Sequence, residues 1–312
     1  MGKQRISGKQ AYQNFRDDFR NVYRPKVFTA LEKAGKVYVT DQMRGAGQTR
    51  ELGHPEYLDL QAGESRTANA VVSFIDIRGF TKLSFVLDPE ELLKIVQGLT
   101  QASINVITDG GGYIGEFTGD GVMAYFGDSS TTDDDATMAA LEATSLLFKT
   151  VEEIVNPELK ADGIDPIRIA AGMEFGEVLW SRVGVGASSQ IKPVANATFL
   201  AGKLCSAAHT QAWECKIGAQ LARWVPDEYV SKVKQYGPFT VKGKQVSREL
   251  YLLDWRKLAT DTLTDQGKFE ESIRTRARIS TSGVLGTTSV VQPAKPGNAG
   301  PRPLKDQPFF GE

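Results

Sequence analysis

The order of elements in this sequence predicts an α+β fold, with a mostly antiparallel sheet and helices on one face. An apolar run at residues 70–77 is typical of a strand in the middle of a sheet. A helix with a complete start signal begins after Asp88, and a pair of strands surrounds Asp120. Two adjacent strands after one helix do not fit the regular alternation of a doubly wound parallel sheet.

Composition divides the chain into three segments. Residues 1–69 are polar and mixed, and Pro25 interrupts their helical pattern. We interpret them as a helical arm or partial subdomain, with packing on a neighbouring subunit as an open alternative. Residues 70–256 hold the periodic apolar segments of a folded domain. Residues 257–312 are rich in Ser, Thr, Gly, Pro and basic side chains, which predicts a disordered tail because little apolar surface can be buried.

The charge balance gives no sign of a polyanionic partner. The 312 residues include 37 Lys and Arg and 38 Asp and Glu, a net charge of -1, so no global field attracts nucleic acid or a membrane. No apolar run approaches the roughly 18 residues of a membrane span, and the N-terminus lacks the apolar core of a signal peptide. Cys205 and Cys215 match neither a zinc site nor a disulfide framework. We therefore expect a cytoplasmic protein with reduced thiols.

The first half of the domain predicts a strand, a helix, a hairpin and a second helix. Asp88 is the N-cap of the first helix, and Glu91 is its capping partner. The hairpin covers residues 113–127. The following acidic run, at residues 133–135, is either a metal cluster or the start of a helix, and we favour the helix because apolar residues at helical spacing follow. That helix is predicted to end near Asn156.

The second half predicts further strands around one helix. The elements are strands at 167–175 and 177–183 separated at Gly176, a helix at 199–208, a strand at 213–217 and a hairpin at 237–254.

Two aspartates stand out because they interrupt apolar strands. Asp76 lies within the first strand, and Asp120 lies between two glycines at the hairpin tip. A carboxylate in such surroundings costs several kcal/mol to desolvate unless a cation or several donors meet it. Carboxylates without a nearby His or Cys favour Mg²⁺ or Mn²⁺, bound together with water and phosphate oxygens. The loop after Asp76 offers a glycine, a hydroxyl and backbone N–H groups that can cradle phosphate.

Residues 74–81 (FIDIRGFT) and 118–124 (TGDGVMA) resemble the signature of the class III nucleotidyl cyclases. The resemblance implies a ferredoxin-like cyclase homology domain over about residues 70–256. The alternative is that both aspartates are turn residues of an ordinary α/β domain.

The resemblance implies a specific set of substrate and metal residues. The substrate would be a nucleoside triphosphate, whose ribose 3′-hydroxyl attacks the α-phosphorus while pyrophosphate leaves. Two Mg²⁺ or Mn²⁺ ions per site would be held by Asp76, Asp120 and the backbone carbonyl of Ile77. Phe80 and Thr81 would belong to the loop that binds phosphate.

Two further positions are implied to contact the base. Glu116 stands where adenylyl cyclases have a lysine and guanylyl cyclases a glutamate. Because a carboxylate only accepts hydrogen bonds, it favours the N–H groups of guanine, uracil or cytosine and disfavours adenine. Gln190 falls near the second base position, and its amide suits a pyrimidine edge because it donates and accepts. The alternative for Glu116 is an exposed strand residue.

The helix of the second half departs from the family pattern. Where the family offers asparagine and arginine, this chain has Phe199 and Lys203. Lys203 can still supply positive charge to the transition state, whereas Phe199 cannot hydrogen-bond the ribose. Asn196 is a candidate replacement for the missing asparagine. Lys242 resembles the triphosphate-binding lysine of the family, with Lys244 and an ordinary surface lysine as alternatives.

These departures resemble the pyrimidine cyclases of the Pycsar antiphage systems. The resemblance implies a soluble enzyme that makes cyclic UMP or cyclic CMP, which a separate effector then reads, and we favour UTP as the substrate. Because the metal carboxylates and the transition-state groups come from different halves of the domain, a symmetric homodimer is expected. The alternatives are a guanylyl or adenylyl cyclase of bacterial signalling, or a catalytically inactive cyclase-like regulator that binds nucleotide.

Overall fold

The structure is a computed structural model that describes residues 10, 13, 14, 16, 52–207, 215–240 and 247–264. Within these residues the strands are β1 (Ser65–Arg78), β2 (Gly112–Thr118), β3 (Gly121–Phe126), β4 (Arg168–Val183), β5 (Gln190–Val194), β6 (Cys215–Gly218), β7 (Val233–Thr240) and β8 (Ser247–Leu253). The α-helices are α1 (Phe80–Val86), α2 (Pro89–Asp109), α3 (Asp133–Thr150), α4 (Asn156–Ala161), α5 (Asn196–Ser206), α6 (Ala219–Ala222) and α7 (Trp255–Thr264).

All eight strands belong to one sheet. Its order is β2-β3-β1-β4-β6-β8-β7, and β5 pairs with the C-terminal part of β4. The β4–β6 pair is parallel, and the other pairs are antiparallel. The predicted α+β class with a mostly antiparallel sheet is therefore confirmed. Strand β1 lies in the middle of the sheet, between β3 and β4. Its Val71 and Ile75 pack in the core on one face and its Val72 in the cluster on the other, so both faces are covered, which explains its continuous apolar run.

The two faces of the sheet carry different helices. Helices α2, α3 and α7 cover one face, where the larger core includes Val71, Ile75 and Phe148. Helix α5 lies on the other face, where Ala197 and Ala201 pack in a second cluster with Val72, Met123, Tyr125 and Trp180. Helices α2, α3 and α7 thus share one face, as predicted, while α5 occupies the opposite one.

Helix α5 approaches the sheet closely because the facing residues are small. A Cβ built on Gly172 of β4 would lie 2.2 Å from the carbonyl oxygen of Ala201 and 2.2 Å from the amide nitrogen of Cys205. Only glycine therefore permits this packing distance. Gly176 plays a milder version of the same role, since its Cβ would lie 3.3 Å from Ala197 Cβ.

The expected strand break at Gly176 was wrong. Strand β4 runs continuously through this glycine, which pairs with Ala70 of β1. Contact with α5, rather than a turn, explains the glycine. The expected helix end near Asn156 was also wrong, because a π-helical turn (Val151–Val155) joins α3 to α4 and the helical path continues to Ala161. Pro157 fits there because it stands in the first turn of α4.

The predicted starts of α2 and α3 are confirmed, whereas α5 begins at Asn196 rather than at the predicted residue 199. Asp88 and Glu91 form the capping box of α2. The acidic run 133–135 opens α3, and the side chain of Thr132 accepts the Asp135 N–H at 3.1 Å, so the helix-start interpretation holds.

Residues 52–64 form a strap that packs on the α5 face before β1 begins. Tyr57 stacks on Trp180 of β4, with ring centroids 4.8 Å apart. Arg182 donates to the carbonyl oxygens of Leu58 and Leu60, each at 2.5 Å. Among the described residues, the strap and β1 begin before residue 70, and α7 continues beyond residue 256. Among the described helices, none combines the length and the apolar character needed to cross a membrane.

Candidate active site

Strand pairing brings the two singled-out aspartates together. Asp120 lies in the tight turn between β2 and β3, where Thr118 pairs with Gly121. Strand β3 also pairs with β1, with Val122 opposite Ile75, so the turn lies beside Asp76. The close approach of the turn to β1 requires glycine at position 121, because a Cβ there would lie 2.6 Å from the Ile75 carbonyl oxygen and 3.0 Å from Asp76 Oδ1.

Both carboxyl groups are half-buried, and their electrostatics reflect it. Burial raises the pKa of Asp76, and the neighbouring charge of Asp120 raises this pKa further. Burial also raises the pKa of Asp120. A hydrogen bond joins the two carboxyl groups, and the Ile77 N–H interacts with both of them. Two adjacent acids with raised pKa values are what a bound cation would stabilise in their ionised form.

The donor set fits Mg²⁺ or Mn²⁺. In a strand the N–H and C=O of one residue point to the same side, so the Ile77 carbonyl projects to the side on which its N–H meets the carboxyl groups. Within the described part of the chain, no cluster of three or more His, Cys, Asp or Glu side chains could hold a metal. Two carboxylates and a carbonyl would leave ligand positions for water and phosphate, the arrangement that Mg²⁺ prefers in phosphoryl-transfer sites.

The predicted phosphate loop is the start of α1. Gly79 precedes the helix with φ of 74°, a left-handed conformation that favours glycine. Phe80 is partly buried against the main core, and Thr81 is exposed. A role for Phe80 in phosphate binding would therefore fall to its backbone amide rather than to its ring.

Glu116 is paired with a residue that the sequence interpretation missed. Its Oε2 lies 2.6 Å from Nζ of Lys192 on β5, and both side chains are about one-third exposed. A bulge at Gly115 shifts the β2–β3 register just before Glu116 and so directs its side chain. Gln190 is exposed and lies two positions before Lys192, on the same face of β5. The period of two along β5, together with the charge opposite to that of Glu116, could have indicated Lys192.

The α5 candidates share the exposed side of their helix. Phe199 is 71% exposed, and Asn196 and Lys203 are exposed as well. Their spacing of three and four positions places them on one helical face, while Ala197 and Ala201 contact the sheet. Lys242 lies outside the described residues.

Comparison with known proteins identifies the fold and the family. Residues 63–254 match the adenylate and guanylate cyclase catalytic domain. The chain is 28% identical over 189 residues to a cytidylate cyclase from Escherichia coli, covering 58% of this chain and 42% of the relative. It is 24% identical over 163 residues to a uridylate cyclase from Burkholderia cepacia, covering 52% of this chain and 69% of the relative.

A solved structure of a cyclase has a similar fold. The adenylyl cyclase CyaB from P. aeruginosa superposes with a TM-score of 0.55 at 26% identity, covering 61% of this chain and 95% of that one. This chain spans less than half of the length of the Escherichia coli relative. Since the matched domain covers more than half of the chain, the chain belongs to the family of adenylate and guanylate cyclase catalytic domains.

Proposed function

We propose that the chain is a nucleotidyl cyclase, a phosphorus–oxygen lyase that converts a nucleoside triphosphate into its 3′,5′-cyclic monophosphate and pyrophosphate. The observation that carries the proposal is the contact between the two half-buried carboxyl groups of Asp76 and Asp120. Bound Mg²⁺ or Mn²⁺ would lower the pKa of the ribose 3′-hydroxyl and neutralise charge on the phosphate oxygens.

The chain's own residues divide the remaining work. The first turn of α1, with Phe80 and Thr81, follows Asp76 directly and would orient the phosphates. Lys203 would supply positive charge to the phosphorus centre, with Lys242 on the triphosphate. Asn196 and Phe199 would contact the ribose and base, Asn196 by hydrogen bonds and Phe199 by its ring face.

The Glu116–Lys192 pair is the proposed reader of the base. Glu116 accepts and Lys192 donates, so together they match a base edge with one N–H donor beside an acceptor. Uracil offers N3–H between two carbonyl oxygens, and cytosine offers its amino group beside N3. We favour UTP because the N–H of uracil lies between two acceptors, a set that an accepting Glu116 and a donating side chain could read. CTP is the second candidate, and relatives of this chain are named cytidylate and uridylate cyclases. Gln190, on the same face of β5, would add a second polar contact.

The substrate is tested by incubating the purified full chain and Mn²⁺ with ATP, GTP, CTP and UTP separately, followed by mass spectrometry of the products. Cyclic UMP as the main product is expected. Cyclic CMP alone would keep the pyrimidine assignment but correct the base. Product from ATP or GTP alone would favour an ordinary adenylyl or guanylyl cyclase, and no product from any of them would favour a nucleotide-binding regulator without activity.

The proposed active form is a homodimer with two composite sites. The side chains of Asn196, Phe199 and Lys203 are exposed on one face of α5. Exposed apolar side chains also accompany the candidate base residues, with Phe117 beside Glu116 and Val194 near Lys192. A second copy would cover these apolar groups and bring its α5 to the metal carboxylates.

We further propose that the product is a cytoplasmic second messenger in antiphage defence, read by a separate effector. The support is the resemblance to the Pycsar cyclases. We expect neither a nucleic-acid nor a membrane partner, because the net charge is close to zero. The test is to infect cells that express the chain and to follow cyclic pyrimidine nucleotides by mass spectrometry. Infection should raise their concentration in wild-type cells and leave it at background in cells with the Asp76→Asn variant. Equal concentrations before and after infection would contradict the role in defence.

A further inference from the structure

Arg78 connects the metal-carrying strand to the end of α5. It is the last residue of β1, two positions after Asp76, and it is half-buried. Its Nη2 donates to the backbone carbonyl oxygen of Cys205 and, at 3.1 Å, to that of Ala207. Lys216 of β6, which is fully buried, donates to the same Ala207 oxygen at 3.0 Å. Two cationic side chains therefore converge on the C-terminal end of one helix.

The chemistry of a helix end explains the convergence. The last carbonyl groups of a helix have no partner within it, and they form the negative end of the helix dipole. A guanidinium group is planar with fixed N–H directions, so it defines the orientation of what it binds better than an ammonium group does. Burial strengthens these contacts because water does not compete for them.

Much of the sheet-facing side of helix α5 is small. Ala197 and Ala201 lie against Gly172 and Gly176 without interlocking side chains, and the other buried residues of the helix, Leu204 and Cys205, lie near its C-terminal end. Small residues permit close approach, but they resist sliding along the sheet less than large interdigitating ones. The C-terminal contacts of Arg78 and Lys216 therefore restrain where the exposed face of α5 points.

We propose that Arg78 is a positioning residue that holds α5, and with it Phe199 and Lys203, in a fixed place relative to β1. The inference rests on the proposed function, in which α5 of each chain completes the site whose aspartates come from the partner subunit. Arg78 then links two different sites through one chain, because it follows the Asp76 of one site and orients the Lys203 that serves the other.

The structural part is tested by hydrogen–deuterium exchange on the full chain with Arg78→Lys and Arg78→Met. Faster exchange is expected in peptides covering α5, with little change elsewhere. Arg182→Lys is the matched control, because Arg182 is also half-buried and also donates to two backbone carbonyl groups, those of Leu58 and Leu60. Unchanged exchange of α5 in both Arg78 variants, or an equal change with Arg182→Lys, would overturn the proposal without reference to catalysis.

The functional part uses co-expressed chains with different tags. One chain carries Asp76→Ala and the other Lys203→Ala, so one complete site remains, built from the second chain's aspartates and the first chain's α5. Adding Arg78→Met to the Asp76→Ala chain should lower kcat about 10- to 100-fold with KM changed less than about twofold. The same change in the Lys203→Ala chain should lower kcat clearly less, because there the side chain acts only through its charge on the adjacent Asp76.

The outcomes separate this inference from the proposed function. Three outcomes would overturn a role exerted through α5. They are a loss of kcat only when Arg78→Met is in the Lys203→Ala chain, equal losses of kcat in both placements, and no loss in either. An inactive parent mixture would instead contradict the composite site of the proposed function. In that case the exchange experiment still decides whether Arg78 holds α5.

Discussion

Asp76 and Asp120 are the residues on which the proposed chemistry depends. Their negative charge would bind the metal ions, whereas their burial disfavours the charged form. Asp76→Asn and Asp120→Asn keep the side-chain shape but remove an anionic metal ligand. Each should lower product formation by at least about 100-fold, the order seen when one preorganised electrostatic group is removed from an active site. Without divalent ions, each variant should melt at the same or a higher temperature than the wild type, because burial and mutual repulsion of the carboxyl groups are relieved.

The two readouts are cyclic nucleotide yield and a thermal melt in the presence of a chelator. Asp59→Asn is the control, since Asp59 is an exposed residue paired with Arg66. Near wild-type turnover in either active-site variant would refute the metal assignment.

The Glu116–Lys192 pair allows a test of base reading at constant charge. Exchanging the two residues (Glu116→Lys with Lys192→Glu) keeps the ion pair but inverts which position donates and which accepts. The ratio of rates with UTP, CTP, GTP and ATP should therefore shift by about tenfold or more, since a mismatched polar contact costs about 1–3 kcal/mol. Competition assays with pairs of triphosphates measure the ratio.

The matched control for this exchange is the exposed Asp59–Arg66 pair, which has the same 2.6 Å separation. Exchanging its two charges should leave the base preference unchanged. If the Glu116–Lys192 exchange leaves the relative rates with the four triphosphates at wild-type values, the pair does not contact the base.

Glu174 makes the stability of the fold depend on pH. It is buried on β4, and its Oε1 accepts the Leu221 N–H at 2.8 Å. Burial raises its pKa from about 4.5 to about 7. Because the unfolded chain ionises Glu174 first, its contribution to stability is complete below about pH 4.5 and is lost as the pH rises towards 7. Glu174→Gln should therefore flatten the decline in unfolding free energy between pH 5 and pH 8.

Urea denaturation at several pH values tests this prediction. Glu177→Gln is the control, because Glu177 is exposed on the same strand. If the unfolding free energy of the Glu174→Gln variant declines with pH as steeply as that of the wild type, Glu174 is not the source of the pH dependence.

At the scale of elements, the packing of α5 on β4 depends on glycine. Gly172→Ala would place a Cβ 2.2 Å from two backbone atoms of α5, neither of which can move like a flexible side chain. We expect a loss of about 3 kcal/mol in unfolding free energy, at the upper end for overpacked sites. Gly176→Ala, whose nearest contact is a 3.3 Å approach to a side chain, should cost clearly less. Urea titration of both variants checks the order, and equal losses would show that α5 tolerates displacement.

At the scale of the whole molecule, exposed apolar groups predict self-association. Val194 on β5 is 54% exposed beside the candidate base residues. Val194→Asp should place a charge in the proposed dimer interface, lower the dimer fraction and reduce activity in parallel. Val86→Asp is the control, since Val86 is 81% exposed on α1. Analytical ultracentrifugation measures the dimer fraction, and an unchanged dimer with Val194→Asp would contradict this interface.

The sequence by itself determined the features that depend on neighbouring residues. The capping box at Asp88 and Glu91, the helix start at 133–135 and the tight turn at Asp120 follow from local hydrogen bonding and backbone preference. Asp76 within its apolar strand and Asp120 at the tip of an apolar hairpin were visible for a different local reason, because an unpaired buried carboxylate is costly wherever the strands lie.

Only the tertiary structure decided the features that join distant segments. It placed α5 on the opposite face of the sheet, passed β4 straight through Gly176, paired Glu116 with Lys192 and joined Arg78 to the end of α5. Each of these contacts joins residues far apart in the chain, and their partners follow from strand order and packing distance. A glycine that breaks a strand and a glycine that admits a helix are identical in sequence, and only the neighbour that packs against them distinguishes the two.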